Sequence, residues 1–149
     1  MDLTKMEIHT MHISDLDEIK ENLSENFNNF WNYKIFKDEL ANNNSKYIVA
    51  KTLDNIIVGF AGIKIIFDEV ELMNIVTKKN SRNLGIASFM LEALIDLCNN
   101  MHIKKINLEV NSLNTIAINL YKKYNFNVVG LRKKYYDNTY DAILMSLAL

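Results

Sequence analysis

The 149-residue chain contains no proline, a single cysteine and only four glycines. Without proline or a low-complexity stretch nothing marks a linker, and the length predicts one compact domain over residues 1–149 with a core of its own. A lone cysteine, Cys98, cannot staple a fold. No stretch combines a positive start, an apolar middle and a small-residue cleavage site, so the expected address is a reducing cytoplasm. No apolar run approaches the roughly 20 residues that span a bilayer. Charge of one sign is also missing: 17 Lys and Arg stand against 18 Asp and Glu. That balance leaves no overall field to attract nucleic acid or an anionic membrane. Neither GxGxxG nor GxxxxGK[ST] occurs, which disfavours a Rossmann or P-loop site. His9 and His12 fall on opposite faces of an expected strand and His102 is remote from both, so no metal set is expected.

What is present is apolar periodicity, since 49% of residues are hydrophobic. Alternation over Met6–Ile13 predicts a first strand. Ser14 then offers a helix cap, and Leu16, Ile19, Leu23 and Phe27 recur at helical spacing. A second short helix is expected over Trp31–Leu40. Lys46–Leu53 and Ile56–Phe67 read as a hairpin turning at Asp54-Asn55, a pair that tolerates left-handed backbone. Val70–Thr77 is a further strand. Ile86, Phe89, Met90, Ala93, Leu94 and Leu97 lie on one stripe of a helix reaching about Asn99. In the strand Ile103–Val110, Ile106, Leu108 and Val110 share one face, and Asn107, Glu109 and Asn111 extend the other. Ala117, Leu120, Tyr121 and Tyr124 stripe a last helix, and Asn127–Tyr136 with Tyr140–Leu149 form a closing strand pair. The order implies a mixed α/β sheet covered by helices, with one strand–helix–strand unit whose strands are parallel. Ligands of such units gather at the carboxyl ends of the strands and at the helix N-terminus.

The segment Ser81–Ser88, SRNLGIAS, opens the central helix at that place. A helix N-terminus carries unpaired N–H groups and partial positive charge. Gly85 removes the side chain that would hold a phosphate off the backbone, and Arg82, Lys78 and Lys79 add formal charge. Gly85 could equally be a flexible helix start. However, Arg82-Asn83-Leu84-Gly85-Ile86-Ala87 matches Q/R-x-x-G-x-G/A and resembles the signature of the Gcn5-related N-acetyltransferase (GNAT) superfamily. Asn74-Ile75-Val76-Thr77 upstream is similar to its cofactor strand, while Glu109-Val110, Asn114, Leu120-Tyr121 and Phe126 are similar to the second half of its site. Arg132-Lys133-Lys134-Tyr135-Tyr136 and Asp141-Ala142-Ile143-Leu144-Met145 resemble the ending of its ribosomal-protein alanine acetyltransferase branch, and Trp31, Phe36 and Leu40 extend the likeness.

The resemblance implies a mostly antiparallel sheet with a central, splayed parallel pair and helices on both faces. It implies acetyl-CoA as cosubstrate. Arg82, Asn83, Leu84, Gly85, Ile86, Ala87 and Ser88 would receive its pyrophosphate, Ile75, Val76 and Thr77 would hold the pantetheine and acetyl carbonyl, and Asn114 would bond the pantetheine arm. Glu109 would be general base and Tyr121 general acid in a direct transfer, with Tyr135 and Tyr136 lining a peptide groove. Read from the residues alone, Glu109 is a solvated carboxylate and Tyr121 a core aromatic. Cys98, with no histidine near it in sequence, reads as packing and not as an acetyl carrier. The Arg132–Lys134 run reads as a solvated strand with aromatics packed beneath, in preference to an RNA contact. The implied acceptor is a protein N-terminus, such as that of a ribosomal protein. A small amine (polyamine, amino sugar, antibiotic) and a non-catalytic acyl-CoA-binding module are the rivals. The resemblance leaves monomer and homodimer both open. Asn111, Leu113 and Asn125 depart from the branch pattern of arginine, serine and glycine.

Overall fold

The computed structural model describes residues 5–27, 32–136 and 139–149, with the side chains of Ser24 and Tyr136 outside that description. Trp31, where the second helix was expected to start, also lies outside it. A seven-stranded sheet runs in the order β1-β2-β3-β4-β5-β7-β6. Its strands are β1 (Met6–Thr10), β2 (Ser45–Thr52), β3 (Ile57–Ile66), β4 (Glu69–Thr77), β5 (Lys105–Asn111), β6 (Asn127–Tyr136) and β7 (Tyr140–Ala148). Its helices are α1 (Ile13–Ile19), α2 (Leu23–Asn26), α3 (Tyr33–Ala41), α4 (Ile86–Asn100) and α5 (Thr115–Lys123). Neighbouring strands pair antiparallel except β4 with β5. The expected mixed sheet with one central parallel pair is what forms.

Alternating side chains give the sheet two apolar faces, and each has its own helices. Ile48, Ala61, Ile63 and Ile106 pack with Met90, Leu94, Ile118 and Tyr121 of α4 and α5 in one cluster. Val49 and Phe60, from the same strands but the opposite parity, pack with Leu16, Phe27 and Phe36 in the other. On α5 the buried positions are Ile118 and Tyr121, while Ala117, Leu120 and Tyr124 are only partly covered. Gly62 is required by close approach: a Cβ there would meet the Tyr47 ring at 2.2 Å. Asn55 turns the β2–β3 hairpin at φ 69°, as its residue type predicts.

The first helix starts differently from expectation. Met11 donates its N–H to the Tyr47 carbonyl at 2.9 Å, His12 stays extended, and α1 begins at Ile13, so Ser14 lies inside the helix and caps nothing. The His12 N–H instead donates to Asp15 Oδ2 at 2.7 Å. Asp15 Oδ1 is 2.8 Å from Lys51 Nζ of β2, with both side chains largely buried. This contact raises the Lys51 ammonium pKa above its ordinary value. A carboxylate that both serves the helix start and anchors it to the sheet outweighs a hydroxyl that could do only the first. Asp15→Ala is therefore expected to lower unfolding free energy by about 2 kcal/mol, combining a lost cap contact with an uncompensated Lys51. Urea denaturation with an unchanged m-value checks it, and a loss under about 0.5 kcal/mol would contradict it.

Candidate active site

β4 and β5 are joined side by side only at their start. Their register runs Glu69 with Lys105, Val70 with Ile106 and Glu71 with Asn107, while β4 continues to Thr77 and β5 to Asn111. Beyond Glu71 the strands diverge, and the edge of β4 over Leu72–Thr77 presents main-chain groups to the opening. Its other edge stays paired, Ile75 with Ala61, Val76 with Phe60 and Thr77 with Gly59. A bulge aids the divergence: Gly62 faces Asn74 but Ile63 faces Leu72, so Met73 is extra, and bulges bend and twist the strand that holds them. The closed end is bolted across three strands, Asn107 Nδ2 donating to Glu69 Oε1 at 2.8 Å and Ser146 Oγ to Asn107 Oδ1 at 2.5 Å. The splayed pair implied by the resemblance is thus present, hinged at Glu71 and Asn107.

Parallel strands point their carboxyl ends the same way, so the segments leaving β4 and β5 meet at this mouth. From β4 the chain passes through a short 3-10 turn, Lys79–Ser81, to Arg82, exposed and extended at φ −73° and ψ 161°. Asn83 at φ 64° and Gly85 at φ 80° then swing the chain into α4. Gly85 is the N-cap and no side chain caps the helix. The first N–H groups of α4, from Ile86, Ala87 and Ser88, are those a helix leaves without partners. The Ile86 side chain points away from them into the core, 1% exposed, so Ile86 can offer a ligand its main chain alone. Leu84 is half-buried against the same cluster as Ile75, Ile86 and Tyr121. Gly85 is therefore a conformational requirement and not merely a flexible start. This arrangement fits acetyl-CoA: bare amides and Arg82 suit a diphosphate, and an open strand edge suits an amide-bearing arm.

From β5 the chain enters α5. Asn111 Oδ1 accepts from Leu113 N–H at 2.9 Å, and the Asn111 carbonyl accepts from Asn114 N–H at 2.9 Å. Asn111, where the branch pattern has arginine, thus builds the turn. Asn114 is the N-cap of α5, its Oδ1 accepting from Ala117 N–H at 3.2 Å. Seven residues on, Tyr121 lies about 10.5 Å along the helix and is 6% exposed, its ring centroid 5.6 Å from that of Phe126. Asn125 takes φ 70°, supplying the left-handed turn that glycine gives elsewhere.

Glu109 lies on the opposite face of β5 from Leu108 and Val110, and Oε1 of its partly exposed carboxylate is 2.9 Å from Arg132 Nη2 of β6. The Arg132 guanidinium carbon is 4.7 Å from the centroid of the Tyr135 ring. Tyr135 is half-exposed and stacks on that arginine, so the aromatic does not pack beneath the strand as expected. The structure brings Tyr135 to Glu109 through Arg132, a residue that the sequence predicts in a solvated run. Its partner is 23 positions away in sequence and two strands away in the sheet. Only knowledge of the β5-β7-β6 order could have linked them. The Tyr136 side chain lies outside the described residues. Cys98 is fully buried, and burial pushes its thiol up to about 11, which suits packing and not nucleophilic chemistry. Among the described residues no group of three potential ligands could hold a metal, and no helix is long and apolar enough to cross a membrane. A cavity of about 810 Å³ lies elsewhere, between β1, β2 and the last turns of α4, and shares no residue with the β4–β5 mouth.

A sheet opened at the carboxyl ends of its one parallel pair, with an uncapped helix N-terminus and a strand edge facing the gap, defines an α/β acyltransferase fold. Residues 16–126 match the acetyltransferase (GNAT) family, and the chain belongs to it. It is an N-acetyltransferase. A Bacillus subtilis (strain 168) protein is 30% identical over 143 residues, covering 95% of each chain, and is provisionally named a ribosomal protein bS18-alanine N-acetyltransferase. The Salmonella typhimurium enzyme of that name is 32% identical over 123 residues, 80% of this chain and 81% of its own. The crystal structure of the ribosomal-protein-S18-alanine N-acetyltransferase from Escherichia coli superposes with a TM-score of 0.86 at 26% identity, covering 96% of this chain and 93% of that one.

Proposed function

We propose that the protein transfers the acetyl group of acetyl-CoA directly to the α-amine of a protein N-terminus, an N-terminal alanine of a ribosomal protein being the acceptor its relatives suggest. The observation that carries the transfer reading is the opened β4–β5 pair, with Glu109 on one strand and the uncapped α4 N-terminus following the other. Acetyl-CoA supplies an activated thioester, and the chain supplies the rest. The main-chain N–H groups of Ile86, Ala87 and Ser88, with Arg82, hold the diphosphate. The edge of Ile75, Val76 and Thr77 and the amide of Asn114 align the pantetheine arm.

Glu109 takes the proton that the amine must lose, and the Tyr121 hydroxyl delivers one to the departing sulfur. The proton passes to Glu109 through water, and the chemistry favours an amine already partly neutral. An α-amine of pKa ~8 is roughly a tenth neutral at pH 7, whereas a lysine of pKa ~10.4 is neutral about once in several thousand molecules. Support for a peptide acceptor comes from likeness along nearly the whole chain to bS18-alanine acetyltransferases, and from Tyr135 standing half-exposed beside the Glu109–Arg132 pair. Incubation with acetyl-CoA, following thiol release, should give kcat/KM at least about 100-fold higher for a peptide beginning with alanine than for the same peptide with a blocked N-terminus and a free lysine. Faster turnover of spermidine or an amino sugar would replace the peptide reading by a small-amine one. No turnover with any acceptor, despite acetyl-CoA binding, would favour the non-catalytic module.

A further inference from the structure

We infer that Arg132 is a positioning residue for Glu109, fixing its carboxylate by one oxygen and leaving the second for the acceptor side; this rests on the reading of Glu109 as base. Three features of β6 and β7 serve this contact. In a regular strand Arg132 and Tyr135, three residues apart, would project to opposite faces. Here Arg132 faces Ala142 while Tyr136 faces Tyr140, so four steps along β6 oppose two along β7. Lys134 sits in the surplus at φ 51°, a left-handed conformation a non-glycine residue adopts at a cost. Its N–H is held by Asp141 Oδ1 at 2.8 Å, and the Asp141 carbonyl in turn accepts from Ser112 N–H at 2.9 Å. The bulge brings the Tyr135 ring to the Arg132 guanidinium.

The second feature is Ala142. It lies opposite Arg132 on one side of β7 and opposite Asn111 of β5 on the other, and it is fully buried. A single methyl there leaves room for the arginine arm to cross β7 and reach β5. The third is exposure: the Arg132 and Glu109 side chains are 51% and 33% exposed, where an ion pair adds little to stability. A left-handed lysine, a stacked ring and a dedicated aspartate are therefore arranged around a contact that does little to hold the fold. Orientation of a reacting carboxylate accounts for them, because its misplacement by about 1 Å is enough to cost rate.

A double-mutant cycle tests this, using acetyl-CoA and whichever acceptor of the panel above turns over fastest. Arg132→Gln should lower kcat about 10- to 100-fold with little change in KM for acetyl-CoA, and Arg132→Lys, which keeps the charge, should recover part of that loss. In the Glu109→Gln background, Arg132→Gln should cost less than about twofold more, since its effect passes through the carboxylate. A full additional loss in that background would show a merely structural arginine and overturn the inference, as would an Arg132→Gln enzyme with wild-type kcat. If Glu109→Gln alone were harmless, the base reading itself would fall. A crippled Glu109→Gln beside an unaffected Arg132→Gln would sink the positioning role only.

Discussion

Glu109→Gln and Tyr121→Phe are each expected to lower kcat by about 10²- to 10⁴-fold while leaving acetyl-CoA affinity within about twofold. Both substitutions keep shape. Gln occupies nearly the volume of Glu but cannot take a proton from water or amine. Phe keeps the ring that packs on Phe126 in the α4–α5 cluster, so the substitution removes a proton donor and leaves the aromatic contact. Neither residue belongs to the proposed diphosphate cradle, which is why binding should survive. Steady-state kinetics paired with calorimetric titration of acetyl-CoA separate the two quantities. Wild-type kcat in either variant would remove that residue from the chemistry. Parallel loss of binding would show that these side chains shape the cofactor pocket and say nothing about proton transfer.

Local signals account for much of the fold because most of its elements are decided locally. The alternation of Ile106, Leu108 and Val110 set the buried face of β5, and Asp54-Asn55 marked a turn that the structure makes at Asn55. Asp15 and not Ser14 serves the start of α1, and the same carboxylate is tied to Lys51, 36 residues further on and on another strand, a contact with no local signature. Likewise the gap between β4 and β5 has no signature in either strand. It goes with a bulge at Met73 and with a hydrogen-bonded bolt whose members, Glu69, Asn107 and Ser146, span just over half the chain. The site divides in the same way. Gly85 was legible because helix start, glycine and arginine are neighbours in sequence. The tie from Glu109 to Arg132 and Tyr135 was not, because it requires the strand order and a bulge that reverses the parity of β6.

Replacing Gly85 by valine should weaken acetyl-CoA binding about 100-fold, close to 2.7 kcal/mol, with Gly85→Ala falling between. Two penalties act together. At φ 80° a β-branched residue is strained, so the turn entering α4 either carries that strain or relaxes and moves the first N–H groups off their common aim. The added branches also stand where a diphosphate must approach the backbone, and shorten no other contact in compensation. Since Gly85 is exposed and the Ile86 side chain seals the core behind it, the fold should lose little, which thermal unfolding of the ligand-free variant verifies. Binding of 3′-dephospho-CoA and of a short acetyl-pantetheine then locates the effect. The 100-fold loss should appear with the diphosphate-bearing ligand and nearly vanish with the fragment that lacks it. Equal losses with both would mean that Gly85 acts on the width of the β4–β5 gap, and undiminished affinity for the diphosphate-bearing ligand would end the account of this helix as the phosphate cradle.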